Sequence, residues 1–106
     1  MNLPKAAAAL ADPVRIAMLK LIATPPGQPV CSAPLNPACD QNGVCVCEFS
    51  QHLRISQPRA SYHLRILREA GLIVERPRGK WTYYGIASEQ VADFCRELKR
   101  AAGIVE

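Results

Sequence analysis

The sequence predicts a mainly α-helical domain with one small β-hairpin, and three observations predict it. Apolar residues recur at helical spacing in several segments that carry capping signals. Two strand-like runs, LIVERP and KWTYYGI, flank a short turn. Residues 24–43 hold five of the nine prolines, which excludes a helix interior there. With 106 residues the chain suits one domain, 1–106, with a modest core.

The elements follow in order. Residues 3–11 are Ala-rich and helix-prone. The same start, MNLPKAAAALAD, faintly mimics a secretory signal, but the apolar stretch is too short for one, so it is expected to be a helix of the mature protein. Asp12-Pro13 reads as an N-cap with Pro at the first helical position, and Val14, Ala17, Met18, Leu21 and Ile22 make the apolar face of the helix that follows. Residues 24–43 form a long Pro/Cys-rich connection carrying Cys31 and Cys39, of a length usually tied to function or mobility.

In VCVCEFSQHL, Val46, Phe49 and Leu53 form a short helical stripe with Cys45 and Cys47 at its start. After the break Arg54-Ile55-Ser56, Ser56 caps a further helix with Pro58 in its first turn and Gly71 beyond its end. Ala60, Leu64 and Leu67 are its apolar stripe. LIVERP and KWTYYGI follow, with Pro77-Arg78-Gly79 as the turn, and Ser88 is expected to cap a last helix, 88–102, striped by Val91, Phe94, Cys95 and Leu98. Cys95 is expected to be a small buried hydrophobe. Helix–turn–helix (45–70) followed by hairpin (72–86) is the winged helix–turn–helix arrangement.

Charge points the same way. The formal net charge is +4 and the pI about 9.0. Seven of the thirteen Lys and Arg fall between Arg54 and Lys80, against only Glu69 and Glu75. An Arg-rich helix alone is usually a solvated face. Together with a short preceding helix, a tight turn and a basic hairpin, it becomes a candidate for double-stranded DNA. Gln57, Ser61 and Arg65 lie on one helical line. Arg suits guanine edges, Gln suits adenine and Ser suits either. Tyr62 and His63 border the line. Arg54, Arg59 and Arg68 suit phosphates, while Arg76, Arg78 and Lys80 suit a wing contacting the minor groove or backbone. One such unit reads half a site, so a homodimer on an inverted repeat is expected, built from the first and last helices.

The segments LADPVRIAMLKLI, VCVCEF, SQPRASYHLRILREAGLI and RGKWTYYGI resemble the ArsR (ArsR/SmtB) family of metalloregulatory repressors, most of all its arsenic-responsive members. The resemblance covers residues 9–86. It implies a homodimeric repressor that binds an operator and leaves it when trivalent arsenic, or antimony, binds cysteine thiolates. It also implies Cys45 and Cys47 as ligands. The arsenic sensors carry a third cysteine where this chain has Ser50, and a hydroxyl is a poor substitute for a soft thiolate.

The residues leave the third ligand open among Cys39, Cys31 and Cys95. Closing the chain back from Cys45 to Cys39 rather than to Cys31 saves only about 0.7 kcal/mol of loop entropy, which leans towards Cys39. A methylated arsenical, with one position already filled, would need only two thiols. Thiols two apart on a regular helix diverge by about 200°, so binding is expected to distort the start of that helix. Alternatives on the same fold are a thiol redox switch and a cadmium- or zinc-type sensor. No acid–base constellation suggests an enzyme, and no organic cofactor is expected. No run is long and apolar enough for a membrane, and the odd count of five cysteines favours a cytoplasmic setting with free thiols.

Overall fold

The computed structural model describes residues 2–23, 44–78 and 81–104. Residues 24–43, the expected Pro/Cys-rich loop with Cys31 and Cys39, lie outside them, as do Gly79 and Lys80. The elements are α1 (Leu3–Ala9), α2 (Pro13–Ile22), β1 (Val44–Cys45), α3 (Val46–Leu53), α4 (Gln57–Glu69), β2 (Ile73–Arg78), β3 (Trp81–Ile86) and α5 (Ser88–Ala101).

Short polar side chains start three helices by accepting backbone N–H groups that have no partner within the helix. Asn2 takes the amide of Lys5 at 3.0 Å, Asp12 that of Val14 at 2.8 Å and Ser56 that of Arg59 at 3.2 Å. α4 ends where Gly71 adopts φ +80. The Gly71 amide then donates to the Arg68 carbonyl and the Leu72 amide to that of Leu67, the paired closure of a Schellman motif. Gly103, at φ +72, closes α5 in the same way onto Arg100 and Lys99. The expected cap at Ser88 differs: Ala87 occupies the cap position, Ser88 is the first helical residue, and no side chain caps this end.

The sheet holds one strand more than the expected hairpin. β2 and β3 pair antiparallel from Ile73↔Ile86 to Arg78↔Trp81, and β1 joins the other edge of β3 through Val44↔Tyr84 and Cys45↔Tyr83. Cys45 therefore ends a strand, and the helix begins after it, at Val46. Pro77 and Arg78, expected in the turn, belong to the ladder instead. Pro77 is tolerated there because β2 is an edge strand.

The core gathers the stripes foreseen from spacing. Met18 of α2, Phe49 of α3, Leu64 and Leu67 of α4, and Leu72 are its largest fully buried side chains. Ala6 and Ala9 of α1 close one side, and Tyr84 meets Phe49 edge to face at 6.1 Å. α5 buries no residue fully: Val91 and Phe94 pack partly on the core, while Leu98 and Ile104 are 51% and 54% exposed. Cys95, expected to be buried, is exposed. Among the described residues no helix is long and apolar enough to cross a membrane.

Candidate nucleic-acid interface and thiol segment

α4 sorts its residues by the helical period. Ala60, His63, Leu64 and Leu67 face inward and are buried, whereas Gln57, Arg59, Ser61, Tyr62, Arg65 and Arg68 are exposed. The line Gln57–Ser61–Arg65 thus stands on the open side. The Arg65 guanidinium lies 5.9 Å from the centre of the Tyr62 ring, a cation–π distance.

Beside that line a cleft of about 400 Å³ separates α4 from the sheet. Ser61, Tyr62, Arg65 and Arg68 form one wall; Glu75 and Tyr84 form the other. Arg68 crosses it, with Nε 3.2 Å from Glu75 Oε1. Burial pushes the Tyr84 phenol above its usual 10.0; the Glu75 carboxylate adds to the effect and Arg68 opposes it. Arg76, on β2, is exposed and its guanidinium extends over Gly85, where an added Cβ would come within 3.4 Å of it. Arg78 closes the β2 ladder. Lys80 lies outside the described residues.

The turn between α3 and α4 is held at one residue. Ser50 accepts the Ile55 amide on its carbonyl at 3.2 Å and donates its hydroxyl to the Ile55 carbonyl at 2.6 Å. Between them Arg54, exposed, takes φ 56, a left-handed conformation uncommon outside glycine. At the position of the missing thiol, then, stands a clamp on the helix–turn–helix corner.

His63 departs from the expected reading line. It is only 4% exposed, and Arg15 Nη1 of α2 lies 3.0 Å from its Nδ1. Arginine has no acceptor, so Nδ1 must accept and the proton of the neutral ring sits on Nε2. Burial holds His63 below its ordinary 6.5; Asp12 opposes this, while Arg15 and Arg59 reinforce it. Arg15 also donates from Nε to the Ala9 carbonyl at 2.6 Å and from Nη2 to that of Ala8 at 3.5 Å. One side chain thereby ties the end of α1 to the middle of α4. The spacing held a signal for this, because His63 falls on the Ala60–Leu64–Leu67 stripe. Nothing in the sequence marked Arg15 as its partner.

Of the candidate ligands, Cys45 ends β1 and Cys47 is the second residue of α3, with a single residue between them. Cys31 and Cys39 lie outside the described residues. Cys45 and Cys47 do not lie on one continuous helix, which was the premise of the divergence of about 200°. Residues two apart share a side in a strand and not in a helix, and this pair straddles the junction of the two.

Comparison with known proteins adds the following. Residues 39–74 match the family described as "Bacterial regulatory protein, arsR family". An uncharacterized HTH-type transcriptional regulator of Methanocaldococcus jannaschii is 31% identical over 88 residues, which is 83% of this chain and 81% of the relative. The arsenic resistance transcriptional regulator ArsR1 of Pseudomonas putida is 48% identical over 46 residues; the match covers 43% of this chain but only 36% of that regulator's length. Among solved structures, a homodimeric winged helix-turn-helix DNA-binding domain from Mycobacterium bovis superposes with a TM-score of 0.63 at 25% identity, covering 94% of this chain and 77% of that one.

Proposed function

The chain belongs to the arsR family of bacterial regulatory proteins, and from that premise we propose that it is a homodimeric repressor which binds an operator and leaves it when trivalent arsenic or antimony binds Cys45 and Cys47. The observation that carries the DNA half is the exposed line Gln57–Ser61–Arg65 on α4, standing beside a β-wing. Arg54 and Arg59 would hold phosphates, and Arg76, Arg78 and Lys80 would extend the contact along the wing. His63 would act from inside, fixing α4 against α2. Partly exposed apolar residues of α5, Leu98 above all, favour a second copy of the chain as its cover.

The sensing half is supported by the two thiol residues, which are soft ligands, and by what their backbone joins. Drawing Cys45 and Cys47 onto one ion would act on β1, paired to the wing, and on the first turn of α3 together. Cys39 or Cys31 would supply a third thiolate, and a methylated arsenical would dispense with one. A hundredfold loss of operator affinity requires about 2.7 kcal/mol of differential binding.

The test begins with an operator selected from a random duplex pool. Polarisation is then followed against arsenite, antimonite, methylated arsenite, cadmium, zinc and peroxide. Release by trivalent arsenicals, lost in Cys45→Ser and Cys47→Ser, is expected. Release by peroxide alone would replace the reading with a redox switch, and release by cadmium or zinc alone with a divalent metal sensor.

A further inference from the structure

We propose that the cleft between α4 and the sheet seats the sugar–phosphate strand dividing the two DNA grooves, and that Glu75 is an internal stand-in for phosphate that engages Arg68 there. This rests on the DNA-binding reading above. If α4 lies in a major groove and the wing reaches the adjacent minor groove, one backbone strand separates the two, and it must pass over the concavity between those elements. That concavity holds Arg68, whose guanidinium suits phosphate oxygens, beside Ser61 and Arg65 of the reading line, yet it also holds a carboxylate.

A carboxylate in a phosphate seat repels the incoming backbone unless a cation is shared between them. Arg68 is placed to be shared. It meets Glu75 through Nε at 3.2 Å, and both side chains keep solvent access, at 43% and 34%. An ion pair so exposed is weak, so phosphate can compete for the guanidinium. Glu75 thus cancels one of the two positive charges lining the cleft. Affinity falls by the same factor for every sequence, and discrimination is left to Gln57, Ser61 and Arg65.

The experiment uses the full chain and a fluorescent duplex of mixed sequence, with polarisation measured across salt. Glu75→Gln is expected to bind more tightly and to steepen the slope of log affinity against log salt by about 0.9, one added phosphate contact. Its advantage over the unaltered protein should therefore shrink about 3.5-fold between about 50 and 200 mM salt. In an Arg68→Gln background the added slope should vanish. Weaker binding by Glu75→Gln with an unchanged melting temperature, or an unaltered slope, overturns the proposal and leaves the pair as a tie between wing and helix. Failure of the unaltered protein to bind any duplex would instead overturn the functional reading, and this proposal with it.

Discussion

Acidification should destabilise this protein through His63 before it reaches Asp12. His63 is 4% exposed, accepts a hydrogen bond at Nδ1 from Arg15, and is held below its unfolded value of 6.5 by burial. Because its folded pKa is depressed, the unfolded chain binds the proton first as pH falls through 6.5. Stability is therefore greatest above 6.5, and it falls with pH until the folded-state value is reached. Within that window one group contributes a slope of at most about 1.4 kcal/mol per pH unit. Protonation in the folded state also removes the acceptor and sets a second cation against Arg15, with Arg59 near and only Asp12 opposing.

Asp12 titrates elsewhere. Its carboxyl is held below 3.8, first by the Val14 amide and then by Arg15 and His63. Its contribution is lost as pH falls through that lowered value, well below the His63 window. The assay is denaturant unfolding at fixed protein concentration, since the stability of the proposed dimer would depend on concentration, at steps from pH 8 to 5. His63→Asn keeps an acceptor near the Nδ1 position and removes the titration. A flat profile in the unaltered protein, or the same slope in His63→Asn, would refute the reasoning.

Three further outcomes are expected. Arg65→Ala and Gln57→Ala should each remove about 1–3 kcal/mol of discrimination at one base pair of the selected operator, measured by competition with single-site variants. Leu98→Glu, at a position 51% exposed in the single chain, should give monomers by sedimentation while the helical circular dichroism persists. Ser50→Ala should lower unfolding free energy by about 0.5–1.5 kcal/mol, because one hydrogen bond of the turn is lost.

The helices were legible because their signals are local. Asp12 and Ser56 cap where their sequence context says they should, and Gly71 ends α4 through a backbone angle that few other residues adopt. Ser88 misled because a Ser just ahead of an apolar stripe fits either the cap or the first turn. β1 was illegible for a different reason. A two-residue strand has no periodicity, and it exists only because β3 offers an open edge far along the chain. Pro77-Arg78 read as turn by composition, yet on an edge strand alternate amides face away from the sheet, which leaves room for a proline. The exposed line of α4 could be read from the helical period. The same period, applied strictly, places His63 inside. The Arg15–His63 and Arg68–Glu75 contacts join residues that only the fold brings together.

The third strand changes what the thiol segment is attached to. Val44, Tyr84 and Glu75 share one register row across the sheet, and Cys45, Tyr83 and Arg76 share the next. The first row ends on Arg68 of α4 through Glu75. It also meets α3, because the Tyr84 ring packs on Phe49. Two physical paths thus run from residues 45–47 to the exposed face of α4. One follows α3 to Ser50, whose two bonds to Ile55 fix the corner into α4. The other crosses the ladder from β1 to the wing and returns through an ion pair. Along the first, a shift at the start of α3 must carry an intact helical turn with it. Along the second, the proposed release would require only the loss of two backbone pairings at a sheet edge. A regular helix through Cys45 would have left only the first path open.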